Sequence, residues 1–134
     1  MIYVSTSTIP QRIKNLDKSI KSLLNQTKKP DKIFINIPFK YKRFSETIKD
    51  DEIPKFDSSV VEITRCEDCG PATKLLGSLD KLEKNSLVIL FDDDHVYENY
   101  MIEKFFYFYS KAPNNSYSFY VHPLGNFGIG QGAD

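Results

Sequence analysis

Three consecutive carboxylates, Asp92-Asp93-Asp94, follow directly on the apolar run at residues 86–91 and precede His95. Adjacent carboxylates repel one another unless a cation or a set of hydrogen-bond donors neutralises them. Oxygen ligands of this kind suit a divalent metal, which in turn can hold an anionic substrate. The alternative is a solvated turn between a strand and a helix, in which the last acid caps the helix. The triplet alone leaves both interpretations open.

A second pattern is the single Cys-x-x-Cys formed by Cys66 and Cys69. Such a pair can supply half of a zinc site or act as a redox pair. There is no second pair, and the two histidines, His95 and His122, lack the regular spacing of a zinc ligand set. We favour ordinary reduced thiols, with the zinc and redox interpretations as alternatives.

The composition fits one compact domain over residues 1–134 with an apolar core, since 40% of the residues are hydrophobic and 27% are charged. Eighteen basic residues balance eighteen acidic ones, so no overall charge favours nucleic acid or an anionic membrane. Any phosphate binding must be local. The apolar runs are far shorter than the roughly 20 residues of a membrane-spanning helix. No signal peptide is evident, so we expect a soluble chain, cytoplasmic as given.

The acids must be positioned by the elements around them, and strand and helix patterns alternate along the chain. Strands are predicted at residues 2–5, 32–37, 59–64 and 86–91, with a fifth at 116–121. Residues 39–59 are polar and predict a surface excursion with a short helix near 46–50.

Helices are predicted between these strands. One covers residues 16–24 and is capped by Asn15, and another covers residues 98–110. A third begins at Gly70-Pro71, where a proline is tolerated in the first turn. Its apolar side chains are expected to face the sheet; they are Leu75, Leu76, Leu79 and Leu82.

This alternation predicts a Rossmann-like α/β fold, with a mostly parallel sheet and helices on both faces. The acids then fall at the carboxyl end of the fourth strand, where open α/β sheets bind ligands. Their place argues against haloacid-dehalogenase-type phosphatases and receiver domains, which need acids near the first strand. The loop after the first strand has no glycine, which argues against nucleotidyltransferases and dinucleotide-binding folds. The pattern Gly128-x-Gly130-x-Gly132 comes too late to replace it.

Three blocks of sequence carry a family resemblance over residues 2–106. They are Val4-Ser5-Thr6 with Arg12, Leu16 and the run Ser22-Leu23-Leu24-Asn25-Gln26-Thr27; Arg65 with Asp68-x-Gly70-Pro71-Ala72-Thr73-Lys74-Leu75; and Asp92-Asp93-Asp94. In this order they resemble the amino-terminal, nucleotide-sugar-binding part of a GT-A-type glycosyltransferase of the family-2-like group. The hallmark of that group is an Asp-x-Asp at the end of the fourth strand. The resemblance implies a GT-A fold and sugar transfer from a nucleotide-sugar donor.

The resemblance also implies a divalent cofactor, Mn²⁺ or Mg²⁺, that bridges the two phosphates of the donor. Asp94 would be the direct metal ligand, and Asp92 would contact the ribose or reach the metal through water. Asp93 would support them from the opposite side of the chain, and His95 is a possible further contact. The alternative for His95 is an ordinary surface histidine.

The remaining implied contacts concern the nucleotide. Ser5 and Thr6 would lie beside the base and ribose, with plain turn chemistry as the alternative. Asp68 resembles the acid that these enzymes place near the base or ribose, and Arg12 would approach the diphosphate.

Two further cations are expected near the acids. Lys74, in the first turn of its helix, would steady a phosphate beside the positive helix end. Arg65 either contributes to the site or pairs with a neighbouring acid such as Glu67.

About 40 residues follow Asp94, fewer than complete GT-A domains place after their metal motif. The acceptor-side part is therefore expected to be short or missing. Asp134 is the candidate catalytic base. The implied partners are a UDP- or GDP-sugar and an unidentified glycan, lipid or protein acceptor. Nucleic acid is not an expected partner. The alternative function is a nucleotide- or metal-binding module without transferase activity.

Overall fold

The computed structural model describes residues 1–118 and shows a four-stranded sheet in which every pair of neighbours is parallel. The strands are β1 (Ile2–Ser7), β2 (Lys32–Pro38), β3 (Val61–Cys66) and β4 (Leu87–Leu90), in the order β3-β2-β1-β4. The predicted α/β, Rossmann-like fold is confirmed. β3 begins two residues later than predicted. β1 lies inside the sheet, so the ends of β1, β2 and β4 meet at one edge.

One face of the sheet is apolar. Val4 of β1 lies between Ile33 of β2 and Ile89 of β4, and all three are almost fully buried. This face packs against α1 (Leu16–Leu24) and α3 (Met101–Lys111). Isoleucine and valine suit strands because their branched side chains pack well on a pleated surface. Most of the hydrophobic core lies here.

The helix α1 has the predicted boundaries, but it begins differently from the prediction. A 3₁₀ turn, Ile13–Asn15, leads into it, and the Asn15 side chain makes no capping hydrogen bond. The prediction that Asn15 caps the helix is therefore wrong. The 3₁₀ turn continues directly into the helix, so Asn15 already has a helical backbone conformation. A capping residue instead has an extended conformation, from which its side chain reaches the first N–H groups of the helix.

The opposite face carries α2 (Thr73–Leu76), a single helical turn between the 3₁₀ turns Gly70–Ala72 and Leu79–Lys81. Tyr3 and Phe34 pack together on this face, but the part under α2 is polar, and we call it the polar face. Pro71 lies in the first turn as predicted. The prediction that four leucines face the sheet is wrong, because Leu76 and Leu79 are about half exposed. The buried residues of this segment are Thr73 and Ser78. The Ser78 hydroxyl meets the Ser5 hydroxyl of β1, and the Thr73 carbonyl accepts a hydrogen bond from Asn36 of β2.

The excursion between β2 and β3 has a 3₁₀ turn at Asp50–Glu52 in place of the helix predicted near residues 46–50. It still contributes to the core, because Ile48 is buried. α3 begins three residues later than predicted. Residues 116–118 have no regular secondary structure, and the rest of the predicted fifth strand lies outside the described residues. Among the helices of residues 1–118, none is long and apolar enough to cross a membrane.

Candidate functional site

The site is built around Asp92, Asp94 and His95, which follow β4. One ligand atom from each lies within 4.8 Å of the others, and all three residues are exposed. The Asp94 Oδ1 and the His95 Nε2 are 3.6 Å apart. β4 ends at Leu90 and the chain then turns at residues 93 and 94, which brings the first and third acids of the triplet to the same side. Two carboxylates and an imidazole therefore converge at the surface.

The middle acid has a different environment. Asp93 is 2% exposed, and its Oδ2 accepts a hydrogen bond from the Thr8 hydroxyl at 2.6 Å. The Arg12 Nε lies 3.1 Å from its Oδ1. Asp93 was predicted among the substrate-binding residues in a supporting role, and only the supporting role fits the structure. Its carboxylate joins the loop after β1 to the loop after β4 and is closed to a ligand.

Arg12 is held by this contact at one atom only. Its side chain is 45% exposed, and within residues 1–118 the salt bridge to Asp93 uses the Nε alone. The two terminal nitrogens of the guanidinium have no partner there. A guanidinium anchored in this way can present its remaining donors to a phosphate in the bidentate geometry that arginine favours. The predicted role of Arg12 at a diphosphate is compatible with this position.

Lys74 reaches the acid group from the polar face of the sheet, where its Nζ contacts the Asp92 carboxylate. The lysine is 28% exposed, so it is partly enclosed. The predicted contribution of a positive helix end is wrong, because α2 has four residues and a single turn sums few peptide dipoles. Lys74 acts through its own charge.

Tyr97 fixes the backbone of Asp92. Its hydroxyl donates to the Asp92 carbonyl and accepts from the Asp92 N–H, both at 2.8 Å. Its ring meets Phe91 edge-on at 4.3 Å. Burial raises the pKa of Tyr97, so it remains a neutral phenol with a proton to donate. No pattern in the sequence indicated this residue, because a single aromatic in a loop has no periodicity.

The loop that carries the acids is also tied to α1. The Ser19 hydroxyl donates to the His95 carbonyl, and the Tyr97 N–H donates to the Ser22 hydroxyl at 3.0 Å. Ser19 is buried although it is polar. Two serines spaced by three residues on the core side of a helix are the sequence signal that was missed. They fix the height of the acid loop above the sheet.

Ser5 and Thr6 are both buried, and their hydroxyls are occupied. Ser5 donates to the Lys74 carbonyl, and Thr6 donates to the Phe91 carbonyl at 2.7 Å. They were predicted beside the base and ribose, but neither is accessible in the structure. They connect β1 to α2 and to the end of β4.

Arg65 lies near the end of β3 and Asp68 in the loop that follows it, and neither joins the acid group. Arg65 pairs with Asp50 at 3.4 Å, rather than with Glu67, and donates to the Ile48 carbonyl at 2.8 Å. It therefore ties the excursion to β3. Asp68 accepts from the backbone N–H groups of Lys42 and Gly70, and these hydrogen bonds lower its pKa.

Cys66 and Cys69 are free thiols in the structure. Burial is the main cause that raises the pKa of Cys66, and the neighbouring Cys69 adds to it. Because a thiol is reactive only as the thiolate, the raised pKa makes Cys66 a poor nucleophile. Among residues 1–118 the only group with the spacing of a metal site is the one at Asp92, Asp94 and His95.

A cleft of about 620 Å³ runs along β4 and meets the acid group, with Asp92 and His95 at one end. Its walls include Leu90, Tyr97 and Phe105. A ligand held at the acids has room to extend along these walls, because aromatic and aliphatic surfaces accept apolar or sugar-like groups. The predicted base, Asp134, and the second histidine, His122, lie outside the described residues.

No protein-family model matches the chain, and no curated protein matches its sequence. The functional interpretation therefore rests on the geometry of the acid group and on the resemblance of the three sequence blocks.

Proposed function

We propose that the protein is a metal-dependent glycosyltransferase of GT-A type that takes a sugar from a nucleotide-sugar donor, a UDP- or GDP-sugar. The observation that carries this proposal is the convergence of Asp92, Asp94 and His95 at the carboxyl end of β4. That edge of an open α/β sheet is the usual place for a ligand. The acceptor stays unspecified as a glycan, lipid or protein.

The donor atoms fit a divalent cation. Asp92 and Asp94 offer hard carboxylate oxygens, which suit Mg²⁺ and Mn²⁺. His95 adds an imidazole nitrogen, a ligand that Mn²⁺ accepts more readily than Mg²⁺ does. We therefore favour Mn²⁺. When bound, the metal neutralises the charge that develops on the departing diphosphate.

Two cations lie beside the acids from opposite faces of the sheet. Lys74 contacts Asp92, and Arg12 is anchored on Asp93 with its terminal donors free within the described residues. Together they can hold the two phosphates of a donor against the acid group. Tyr97 keeps Asp92 in place through its backbone, so the ligand geometry is fixed before the donor arrives.

All of these groups act on the donor side of the reaction. The same geometry therefore also serves the alternative, a nucleotide- and metal-binding module without transfer. Asp134 is the proposed catalytic base, and it is tested only by transfer itself. Binding and transfer need separate experiments.

The binding experiment is calorimetry with UDP and with GDP, with and without Mn²⁺. We expect binding that requires Mn²⁺ and weakens at least about tenfold in Asp94→Ala, because even the residues that only orient a metal's ligands cost about that much when they are removed. Asp80→Ala removes an exposed acid outside the site and is the matched control. Binding that is unchanged without metal, or unchanged in Asp94→Ala, would sink the proposal.

The transfer experiment follows the release of UDP or GDP from donor sugars with Mn²⁺ present. Metal-dependent hydrolysis or transfer that Asp134→Asn reduces supports the enzyme with Asp134 as the base. Metal-dependent nucleotide binding without any turnover supports the binding module.

A further inference from the structure

A buried polar cluster holds α2 on the sheet, and Asn36 of β2 is at its centre. The Asn36 Nδ2 lies 3.0 Å from the Thr73 carbonyl, 3.1 Å from the Lys74 carbonyl and 3.1 Å from the Ser5 hydroxyl. Asn36 is fully buried. Two side-chain donors, from Ser5 and Asn36, therefore converge on the backbone oxygen of Lys74.

This arrangement lowers the stability of the fold. The Asn36 Oδ1 is buried without a hydrogen-bond partner, and turning the amide over would place that oxygen against the two carbonyls. A buried polar atom without a partner destabilises a protein, and an apolar contact at the same place would avoid the loss. Such a group calls for an explanation in the function of the site.

Close packing makes the contact specific. A Cβ at Gly77 would lie 2.7 Å from the Asn36 Cβ, a distance that real side chains do not adopt. Only glycine lets the segment after α2 approach Asn36 closely enough for its amide to reach both carbonyls. Asn36 and Gly77 thus set the height of α2 above the sheet.

The height of α2 matters because Lys74 extends from it to Asp92. A lysine side chain is long and flexible, so a charge at its tip is placed accurately only if its backbone is fixed. Neither Leu76 nor Leu79 supplies that fixation, because both are about half exposed. The polar cluster supplies it.

We propose that Asn36 is a positioning residue: through the Lys74 carbonyl it holds the lysine ammonium against Asp92, at the metal site. The importance of this role for a metal site rests on the proposed function. The placement of the lysine itself can be measured without nucleotide or metal.

The experiment measures how fast an amine-acylating reagent modifies Lys74, read by peptide mass spectrometry on the folded chain. Asn36→Val removes the amide and keeps a side chain that suits a strand. We expect Lys74 to react about fivefold faster, the change that corresponds to the loss of one ordinary hydrogen bond. Lys81, paired with Glu62 at 2.9 Å on the same segment, should keep its rate.

Ser78→Ala is the matched control. Ser78 belongs to the same buried cluster, 3.1 Å from the Ser5 hydroxyl and 3.4 Å from the Asn36 Nδ2, but makes no hydrogen bond to the Lys74 carbonyl. It should lower the melting temperature without changing the rate at Lys74. An unchanged rate at Lys74 in Asn36→Val, or a joint rise at Lys74 and Lys81, overturns the proposal. If Asn36→Val does not fold, Ser5→Ala is judged by the same criteria.

Nucleotide binding then separates this proposal from the proposed function. If Asn36 acts through the lysine, Asn36→Val weakens binding of UDP or GDP with Mn²⁺ in the native chain but has no further effect in Lys74→Met. Equal effects in both backgrounds overturn the proposal. Absence of nucleotide binding in the native chain overturns the proposed function and leaves the acylation result to decide the position of Lys74.

Discussion

The two faces of the sheet are built on different chemistry. The face under α1 and α3 is covered by isoleucine, leucine and valine, and its core residues are almost fully buried. The face under α2 presents Ser5 and Asn36, which meet Thr73 and Ser78. One face stabilises the fold by removing apolar surface from water, and the other fixes direction through hydrogen bonds.

The difference separates the hydrophobic stabilisation of the core from the hydrogen bonds that position α2 and Lys74. Hydrophobic contacts are non-directional and tolerate small shifts, whereas hydrogen bonds restrict where the next charged group can lie. Lys74 extends from the polar face, and Asp92 meets it at the edge of the sheet. Substitutions on the two faces should therefore have different consequences.

The largest expected effect is on the apolar face. Ile20→Ala removes a fully buried side chain of α1, and we expect a loss of about 3 kcal/mol in the free energy of unfolding. Leu76→Ala is the matched substitution on α2, where the side chain is 48% exposed, and should change it by less than about 0.5 kcal/mol. Urea unfolding measures both. Equal losses would break the comparison of the two faces.

The next effect sharpens the comparison within the acid triplet. Asp93→Ala leaves Thr8 and Arg12 without their buried acceptor, and we expect a loss of about 2 kcal/mol in the free energy of unfolding. Asp94→Ala removes an exposed charge and should change it by less than about 0.5 kcal/mol. Thermal unfolding without metal tests the pair. The reverse order would show that the middle acid is not structural.

A smaller loss is expected from Gly77→Ala, about 1 to 2 kcal/mol, because the new methyl group would press on the Asn36 side chain. Gly70→Ala is the contrasting substitution. There the new methyl meets open space, but the φ of +60° is unfavourable for alanine. We expect faster acylation of Lys74 in Gly77→Ala alone. A rise in both variants would mean that any disturbance of the segment releases the lysine.

The smallest effect concerns pH and the loop that leads into α2. The backbone donors of Lys42 and Gly70 lower the pKa of Asp68 in the folded state. The stabilisation is therefore present above the ordinary carboxyl pKa of about 3.9 and is lost as pH falls through the lowered value. The difference in melting temperature between the native chain and Asp68→Asn should shrink from pH 7 to pH 3. A constant difference would exclude this linkage.

The apolar face was largely predictable from the sequence. Leu16, Ile20 and Leu23 recur with helical spacing, and the isoleucines of β2 alternate, so α1 and β2 were placed closely. The polar face was not predictable. The leucines of the α2 segment have the spacing of an amphipathic helix, but hydrogen bonds hold this segment on the sheet. Those hydrogen bonds depend on the register of β1 against β2. A pattern of hydrophobicity contains no information about that register.

The same limit applies to the candidate site. The position of the acids after the fourth strand followed from the apolar run, and Lys74 was placed near them because strand ends meet at one edge. Arg65 was expected there on the same reasoning, but the excursion supplies it with Asp50 and the Ile48 carbonyl. Tyr97 forms a hydrogen bond with the backbone of Asp92 because of the shape of the loop, and no residue spacing in the sequence indicates that contact.

The burial of Asp93 between two exposed acids predicts how the triplet varies among homologous proteins. Selection for a stable fold acts on the middle residue, whereas under the proposed function selection for metal binding acts on the outer two. In relatives that lack the proposed activity, we expect Asp92 and Asp94 to vary while Asp93 persists together with Thr8 and Arg12. A surviving middle aspartate would then mark common descent, and only the outer pair would mark a working site.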